Sequence, residues 1–234
     1  MVESANFDGT SDYMTIASAL SGVSNSKTGI MSFWHKPAGA GTARTIYACS
    51  PPVDAFNVIL QATDLIQVAG ANGSTTVLGF STATSSLSAG SWHHVLFSWD
   101  LSSATLNSYV DDASSIQGSP TLTNSAIAYA SQTEVVFGNS GSNKPNGDFA
   151  EFYFAPGQYL DFSVVSNRRK FITSSLKPVY LGTDGAGPTG AAPSIYLHLD
   201  PGETVADFAM NRGTGGDFTI TGALAAGSTS PSDF

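Results

Sequence analysis

The segment SWHHVLFSWD, residues 91–100, followed almost at once by TLNSYVDD, residues 105–112, decides how this chain is read. Val, Leu, Phe and Trp crowd the first stretch with no glycine or proline to break it, the composition of a β-strand. Side chains of a strand alternate between its faces. His93, Val95, Phe97 and Trp99 therefore share one face, and Trp92, His94, Leu96 and Ser98 the other. With apolar residues on both, the strand belongs in the middle of a layered stack. The same geometry sends His93 and His94 in opposite directions, so the two are not expected to ligate one metal or act on one substrate, and both read as structural. Asp100 to Ser103 turn the chain into the second strand, and Asp111-Asp112 open the turn after it.

Outward from this hairpin, short runs of Val, Ile, Phe, Tyr and Thr are punctuated by Gly, Asn, Asp, Ser and Pro. Strands are expected at 13–16, 29–35, 45–48, 56–61, 65–69, 75–80, 92–99, 105–110, 133–137 and 148–154, enough for two stacked sheets of an all-β sandwich. Residues 160–176 read as the one helix, with Ser163 as N-cap and Val164, Val165, Phe171 and Ile172 on a common side. Arg168, Arg169 and Lys170 sit toward its C-terminal half, where the helix dipole favours cations. They hold three of the nine basic residues, and are either a solvated face or a docking patch for an acidic neighbour. From Lys177 onward Gly, Ala, Pro and Thr take over, with strand-like pieces at 194–199 and 217–222. The organisation expected is a sandwich over 1–158, a helix packed on it over 159–177, and an extension over 178–234. That extension packs against the sandwich or reaches a neighbouring subunit, and its deletion is expected to leave the sandwich folded.

Charged residues are 12% of the 234 and hydrophobic ones 41%, which supports a large core under a hydroxyl-rich surface. Eighteen acids against nine bases give a net charge of −9, which argues against nucleic acid as a partner. The N-terminal stretch has neither a basic region nor an apolar run, so a cleavable signal and membrane insertion are not expected. The single Cys49 rules out an internal disulfide.

Catalytic patterns are missing. Gly185, Gly187 and Gly190 spell G-x-G-x-x-G, but Pro188 and Pro193 deny the helix that dinucleotide binding needs. A glycosidase needs two carboxylates facing one cleft, and Asp148 and Glu151, three apart on a strand, are expected on opposite faces. There is no G-x-S-x-G elbow and no zinc spacing. Loops with Asp54, Asp64, Asp100, Asp111, Asp112 and Asp184 could ligate calcium, Asp100, Asp111 and Asp112 foremost. Isolated loop acids are usually turn formers, so no cofactor is expected.

Trp92-His93-His94-Val95 with Tyr109-Val110-Asp111 resembles the W-H-H-V and L-Y-V-D-G hairpin of laminin G-like, concanavalin A-like jelly-roll domains, with Asp112 where the family prefers Gly. NFDGTSDYMTI near the N-terminus is similar to that family's opening strand, and GDFAEFYF to its closing one, so the resemblance spans roughly residues 5–155. It implies an antiparallel two-sheet jelly roll, and a function among carbohydrate binding, protein binding and structural roles. The later runs YLDFSVVSNRRKFI, KPVYLGTDGAGPTGAAPSIYL and NRGTGGDFTITGAL resemble a C-terminal arrangement of laminin G-like proteins of tailed bacteriophages. That resemblance implies a non-enzymatic virion component located on the particle, as capsid decoration, fibre or tail-associated protein. The partners it implies are other virion proteins, further copies in a homo-oligomer such as a trimer, and host-surface polysaccharide. The alternatives are a polysaccharide depolymerase with carboxylates from separate loops, or a stand-alone carbohydrate-binding module.

Overall fold

The computed structural model describes residues 3–50, 55–138 and 143–233. The strands, in chain order, begin with Ala5–Asp8 (β1), Tyr13–Ile16 (β2), Thr28–Pro37 (β3), Arg44–Ser50 (β4), Phe56–Leu60 (β5), Ile66–Asn72 (β6), Thr75–Ser81 (β7) and His93–Asp100 (β8). They continue with Thr105–Val110 (β9), Ala113–Ser114 (β10), Gln117–Leu122 (β11), Glu134–Phe137 (β12), Asn146–Pro156 (β13), Ile195–Leu197 (β14), Thr219–Thr221 (β15) and Ala225–Ala226 (β16). One antiparallel sheet runs β10-β9-β8-β3-β13-β1-β16, with β14 also on β13; the other runs β11-β7-β6-β5-β4-β12-β2-β15. Every strand expected from the sequence is present to within a few residues. β1 falls in the segment similar to the family's opening strand, while β10, β11 and β16 were not expected, because they lack the apolar runs that mark the others.

The alternation expected for β8 is observed. Val95, Phe97 and Trp99 enter the core between the sheets, where Trp99 stacks on Phe56 at 5.4 Å and Phe97 meets Phe80 edge-on at 5.2 Å. Such aromatic pairs add to the area they bury. Gly29 lies opposite Trp99, and a Cβ there would stand 2.1 Å from the indole, so the residue at 29 must lack a side chain. On the other face, Leu96 joins Ile30, Tyr153, Phe162, Phe171, Leu181 and Tyr196 in a second cluster, and His94 stacks on Trp34 at 4.8 Å. The central strands of the first sheet are thus buried on both faces because residues 160–199 cover its outside.

That covering layer differs from a long helix. Only Val165–Arg168 (α1) is helical; its N-cap is Val164, with no side-chain capping bond, in place of Ser163. Val164 and Val165 are exposed while Phe162, Phe171 and Ile172 are buried. The apolar residues do not serve one helix face; they anchor a looped segment at three points, and that burial outweighs helix propensity. The extension is likewise more than a packed arm. β14 pairs with β13, β15 with β2 and β16 with β1, and Ile195, Leu197, Leu199, Phe208 and Phe218 lie in the main core.

Candidate functional site

The turn between β9 and β10 holds two non-glycine residues at positive φ, Asp111 at 50° and Asp112 at 63°. A two-residue hairpin turn of this twist demands such values and normally takes Asn-Gly. The carboxylates explain the departure. Asp111 accepts from His93 Nδ1 at 2.7 Å and from the His94 backbone N–H at 2.8 Å. Burial opposes the charged form of His93, but the bond and charge of Asp111 outweigh it and raise its pKa. Asp112 accepts from Arg168 Nε at 2.6 Å and Arg169 Nη2 at 2.5 Å. The Arg169 bond, with Arg168 beside it, holds the Asp112 carboxyl below its ordinary pKa. Arg168 also lies 4.4 Å over the Tyr109 ring, and Lys170 donates to the Pro188 carbonyl at 2.7 Å. The acidic neighbour of Arg168 and Arg169 is therefore Asp112 of the same chain, and the triad fastens the outer layer to the sheet.

Replacing Asp112 with Gly, the residue the jelly-roll pattern prefers, relaxes φ by about 1 kcal/mol but leaves two partly buried guanidinium groups without their anion. Charge-assisted bonds of this kind are each worth about 1.5–3 kcal/mol. A net loss of about 2 kcal/mol is expected, read as a lower urea midpoint; an unchanged midpoint would mean that water serves the arginines as well as Asp112 does.

Asp100 accepts from Ser102 N at 2.9 Å and Ser103 Oγ at 2.9 Å, and also from Ser102 Oγ, closing the β8–β9 turn. Asp184 accepts from Ala186 N at 3.0 Å, and Asp54 lies outside the described residues. Among the described residues no group of three His, Cys, Asp or Glu side chains is placed to hold a metal.

Above β3 and the start of β8 opens a cleft of about 310 Å³. Trp34, almost wholly buried, and the half-buried Trp92 supply its aromatic surface, Leu176 and Pro231 its apolar walls, and Ser91, Ser175 and Asp111 its polar rim. Trp34 is held flat by His94 beneath it. Trp92 is oriented by its indole N–H, which donates to Thr229 Oγ1 at 3.0 Å. Leu176 is 45% exposed and the Asp111 side chain 35%, so both the apolar and the acceptor surfaces are open to a ligand. Such a cleft can stack one apolar face of a ring and accept hydrogen bonds from hydroxyls at its edge.

A second group of polar side chains gathers where β13 changes partners. The register with β3 shifts between Ala150 and Tyr153, and Glu151 sits in the bulge at φ 50°. The bulge breaks the alternation, so Glu151 points to the outer layer, the side on which Asp148 meets Lys36, and the expectation of opposite faces fails for this reason. Glu151 accepts from His198 Nδ1 at 2.5 Å and Tyr196 OH at 3.0 Å. His198 Nε2 meets Asp200 at 3.0 Å, and Arg212 forks onto Glu203 at 2.6 Å to both oxygens. Burial works against a charged His198, yet the Glu151 bond prevails and raises its pKa. With both ring nitrogens engaged, His198 is a brace between β13 and β14.

The sequence profile of the concanavalin A-like lectin/glucanases superfamily matches residues 8–157, more than half of the chain. The chain belongs to that superfamily. The jelly-roll resemblance read from the hairpin is thereby confirmed at the level of family and fold. No sequence among curated proteins matches this superfamily member. Among solved structures, a Bacteroides ovatus protein suggested to bind carbohydrate superposes with a TM-score of 0.64 at 14% identity, over 98% of this chain and 61% of its own. The heptameric SAP-like pentraxin of Limulus polyphemus gives 0.60 at 11% identity, over 100% and 98% of the two chains. The receptor-binding domain of botulinum neurotoxin D gives 0.51 at 13%, over 74% and 46%. At such identities these likenesses carry the fold alone, and this lectin/glucanase-superfamily chain spans about three fifths of the Bacteroides protein.

Sequence reasoning placed Trp92 in a strand but did not see the cleft, whose other residues stand at 34, 90–91, 111, 175–176 and 231. It also missed the partners of Glu151, which come from 45 and 47 residues downstream. The one signal available was Asp-Asp in a turn that favours glycine, which marked a side chain with work to do.

Proposed function

We propose that this protein is a non-catalytic carbohydrate-recognition domain that binds glycan in the cleft of Trp34 and Trp92, mounted on a bacteriophage particle. The observation that carries the binding role is that cleft: tryptophan surface beside exposed hydroxyl and carboxylate acceptors, the pairing a sugar ring needs for its C–H face and its hydroxyls. The superfamily, and the Bacteroides ovatus neighbour suggested to bind carbohydrate, agree with it. Asp111, the one carboxylate of this cleft, is bonded to His93 and the β8 backbone, and Asp148 of the neighbouring cleft is bonded to Asn6 beside Lys36, so neither stands as a free acid or base for glycoside hydrolysis. The virion setting is supported by the resemblance of runs within residues 159–224 to phage proteins, and host-surface polysaccharide is the ligand that setting supplies.

Trp92→Ala is expected to weaken glycan binding by tenfold or more, about 1.4 kcal/mol, in calorimetric titrations with the ligand picked from a glycan array, while Trp92→Phe keeps most of the affinity. Equal affinity in wild type and Trp92→Ala, with the fold intact by circular dichroism, would move the site elsewhere. Release of reducing ends from the bound glycan would make the protein an enzyme.

A further inference from the structure

The aromatic cleft borders a second one at Gly90. Beyond that residue lies a second cleft of about 300 Å³, built by Asn6, Lys36, Asp148 and Ser228, and Gly90 lines both. Gly90 stands at their shared edge, and a Cβ there would meet no atom within 4 Å, so nothing at that position walls one cleft off from the other. The second cleft has a different chemistry. Lys36 Nζ stands 3.9 Å from Asp148 Oδ2 and donates to Ser228 Oγ at 3.4 Å and Thr229 Oγ1 at 3.2 Å. Asn6 Nδ2 donates to Asp148 Oδ1 at 2.6 Å. Thr229 serves both clefts, accepting from Trp92 in one and Lys36 in the other. Each volume alone is at the low end of the roughly 300–1,000 Å³ typical of ligand pockets.

We infer that the two clefts are one site for a linear, uncharged oligosaccharide, one sugar unit resting on Trp92 and the next hydrogen-bonding in the Lys36–Asp148 cleft across Gly90. The inference rests on the glycan-binding reading of the first cleft. The unwalled edge at Gly90 calls for a ligand longer than one ring. Charge decides the class: Lys36 is balanced by Asp148, so the second cleft offers no spare cation, and Asp111 adds a carboxylate to the other cleft, so a uronate or sulfate would find no partner in one and repulsion in the other. Sugar hydroxyls, which donate and accept, suit amide, ammonium, hydroxyl and carboxylate together.

The test is titration calorimetry of the full chain against the best neutral oligosaccharide from an array of mono- to hexasaccharides, against its constituent monosaccharide, and against a uronic acid oligosaccharide of equal length. The oligosaccharide is expected to bind at least tenfold tighter than the monosaccharide, and the acidic one at least tenfold more weakly than the neutral one. Ser228→Trp, at an exposed position, is expected to fill the second cleft and abolish the gain from length. Lys36→Met is expected to act in the same direction. Trp92→Ala should weaken both ligands. Equal affinity for monosaccharide and oligosaccharide, a preference for the acidic chain, or indifference to Ser228→Trp would overturn the two-cleft site while Trp92-dependent binding left the glycan reading standing. Failure of every array glycan to bind would overturn both.

Discussion

Truncation after Lys177 is expected to abolish the cooperative fold. The lost residues supply β14, β15 and β16, which pair with β13, β2 and β1. They also supply Ile195, Leu197, Leu199, Phe208 and Phe218 to the core between the sheets, and Leu181 and Tyr196 to the outer cluster. Without β14, the second half of β13 keeps β3 as its one ladder partner, and the buried aromatics beneath it meet water. Burial of one such side chain is worth about 1.5–3 kcal/mol, so seven together, about 10–20 kcal/mol, are as large as the about 5–15 kcal/mol that holds a domain folded. The measurement is urea unfolding followed by far-ultraviolet circular dichroism and tryptophan fluorescence. A truncated chain with a sharp, native-like transition would make the sandwich self-sufficient and the extension an appendage. Phe208→Ala isolates one contact of the same kind: its ring is fully buried 6.1 Å from Phe137, and its loss is expected to cost about 3–5 kcal/mol.

Acid is expected to unfold the protein well above the pH at which carboxylates are protonated. His35 and His94 are 1% exposed. Burial pushes each pKa down from 6.5 to about 3; for His35 the charge of His93 adds to the effect, and the bond to the Asp148 carbonyl opposes it. The folded state thus keeps both rings neutral while the unfolded chain protonates them near pH 6.5. The stability they confer is complete above that pH and falls as pH drops toward 3, by about 1.4 kcal/mol per pH unit for each histidine. Between pH 6.5 and 4.5 the two together lower stability by about 5 kcal/mol. His93 and His198, with raised pKa values, behave oppositely: their contribution is complete below pH 6.5 and fades as pH rises through their folded values, so they add no slope in the acid window. Asp100 and Asp112, with lowered pKa values, lose their contribution only below the ordinary carboxylate range. Urea midpoints at pH 7.0, 5.5 and 4.5 measure the slope, and His94→Gln, which keeps a partner for Ser32 without titrating, should halve it. A flat profile between pH 7.0 and 4.5 would mean that the folded state admits the protons.

The hairpin of β8 and β9 was legible in the sequence down to which side chain faces which layer, because strand alternation is a property of the backbone and needs no distant partner. The reading of residues 160–176 erred for the complementary reason. Val164, Val165, Phe171 and Ile172 have spacing compatible with one helix face, but the residues that bury are Phe162, Phe171 and Ile172, against the far side of β3, β8 and β13, and that contact bends the segment into a loop with a single helical turn. Asp112 shows both sides at once: its place in a glycine-favouring turn was visible, whereas its arginine partners stand 56 and 57 residues away.

Sequence by itself determined the all-β class, the placement of the long strands, the structural role of His93 and His94 and the membership implied by the W-H-H-V hairpin, since each depends on residues adjacent in the chain. Tertiary structure decided the rest. It set Glu151 in a bulge facing His198, wove the last residues into both sheets, and assembled a tryptophan cleft from five separated segments. A cleft is defined by which surfaces the returning chain brings together, and that is settled by the burial of distant side chains against one another.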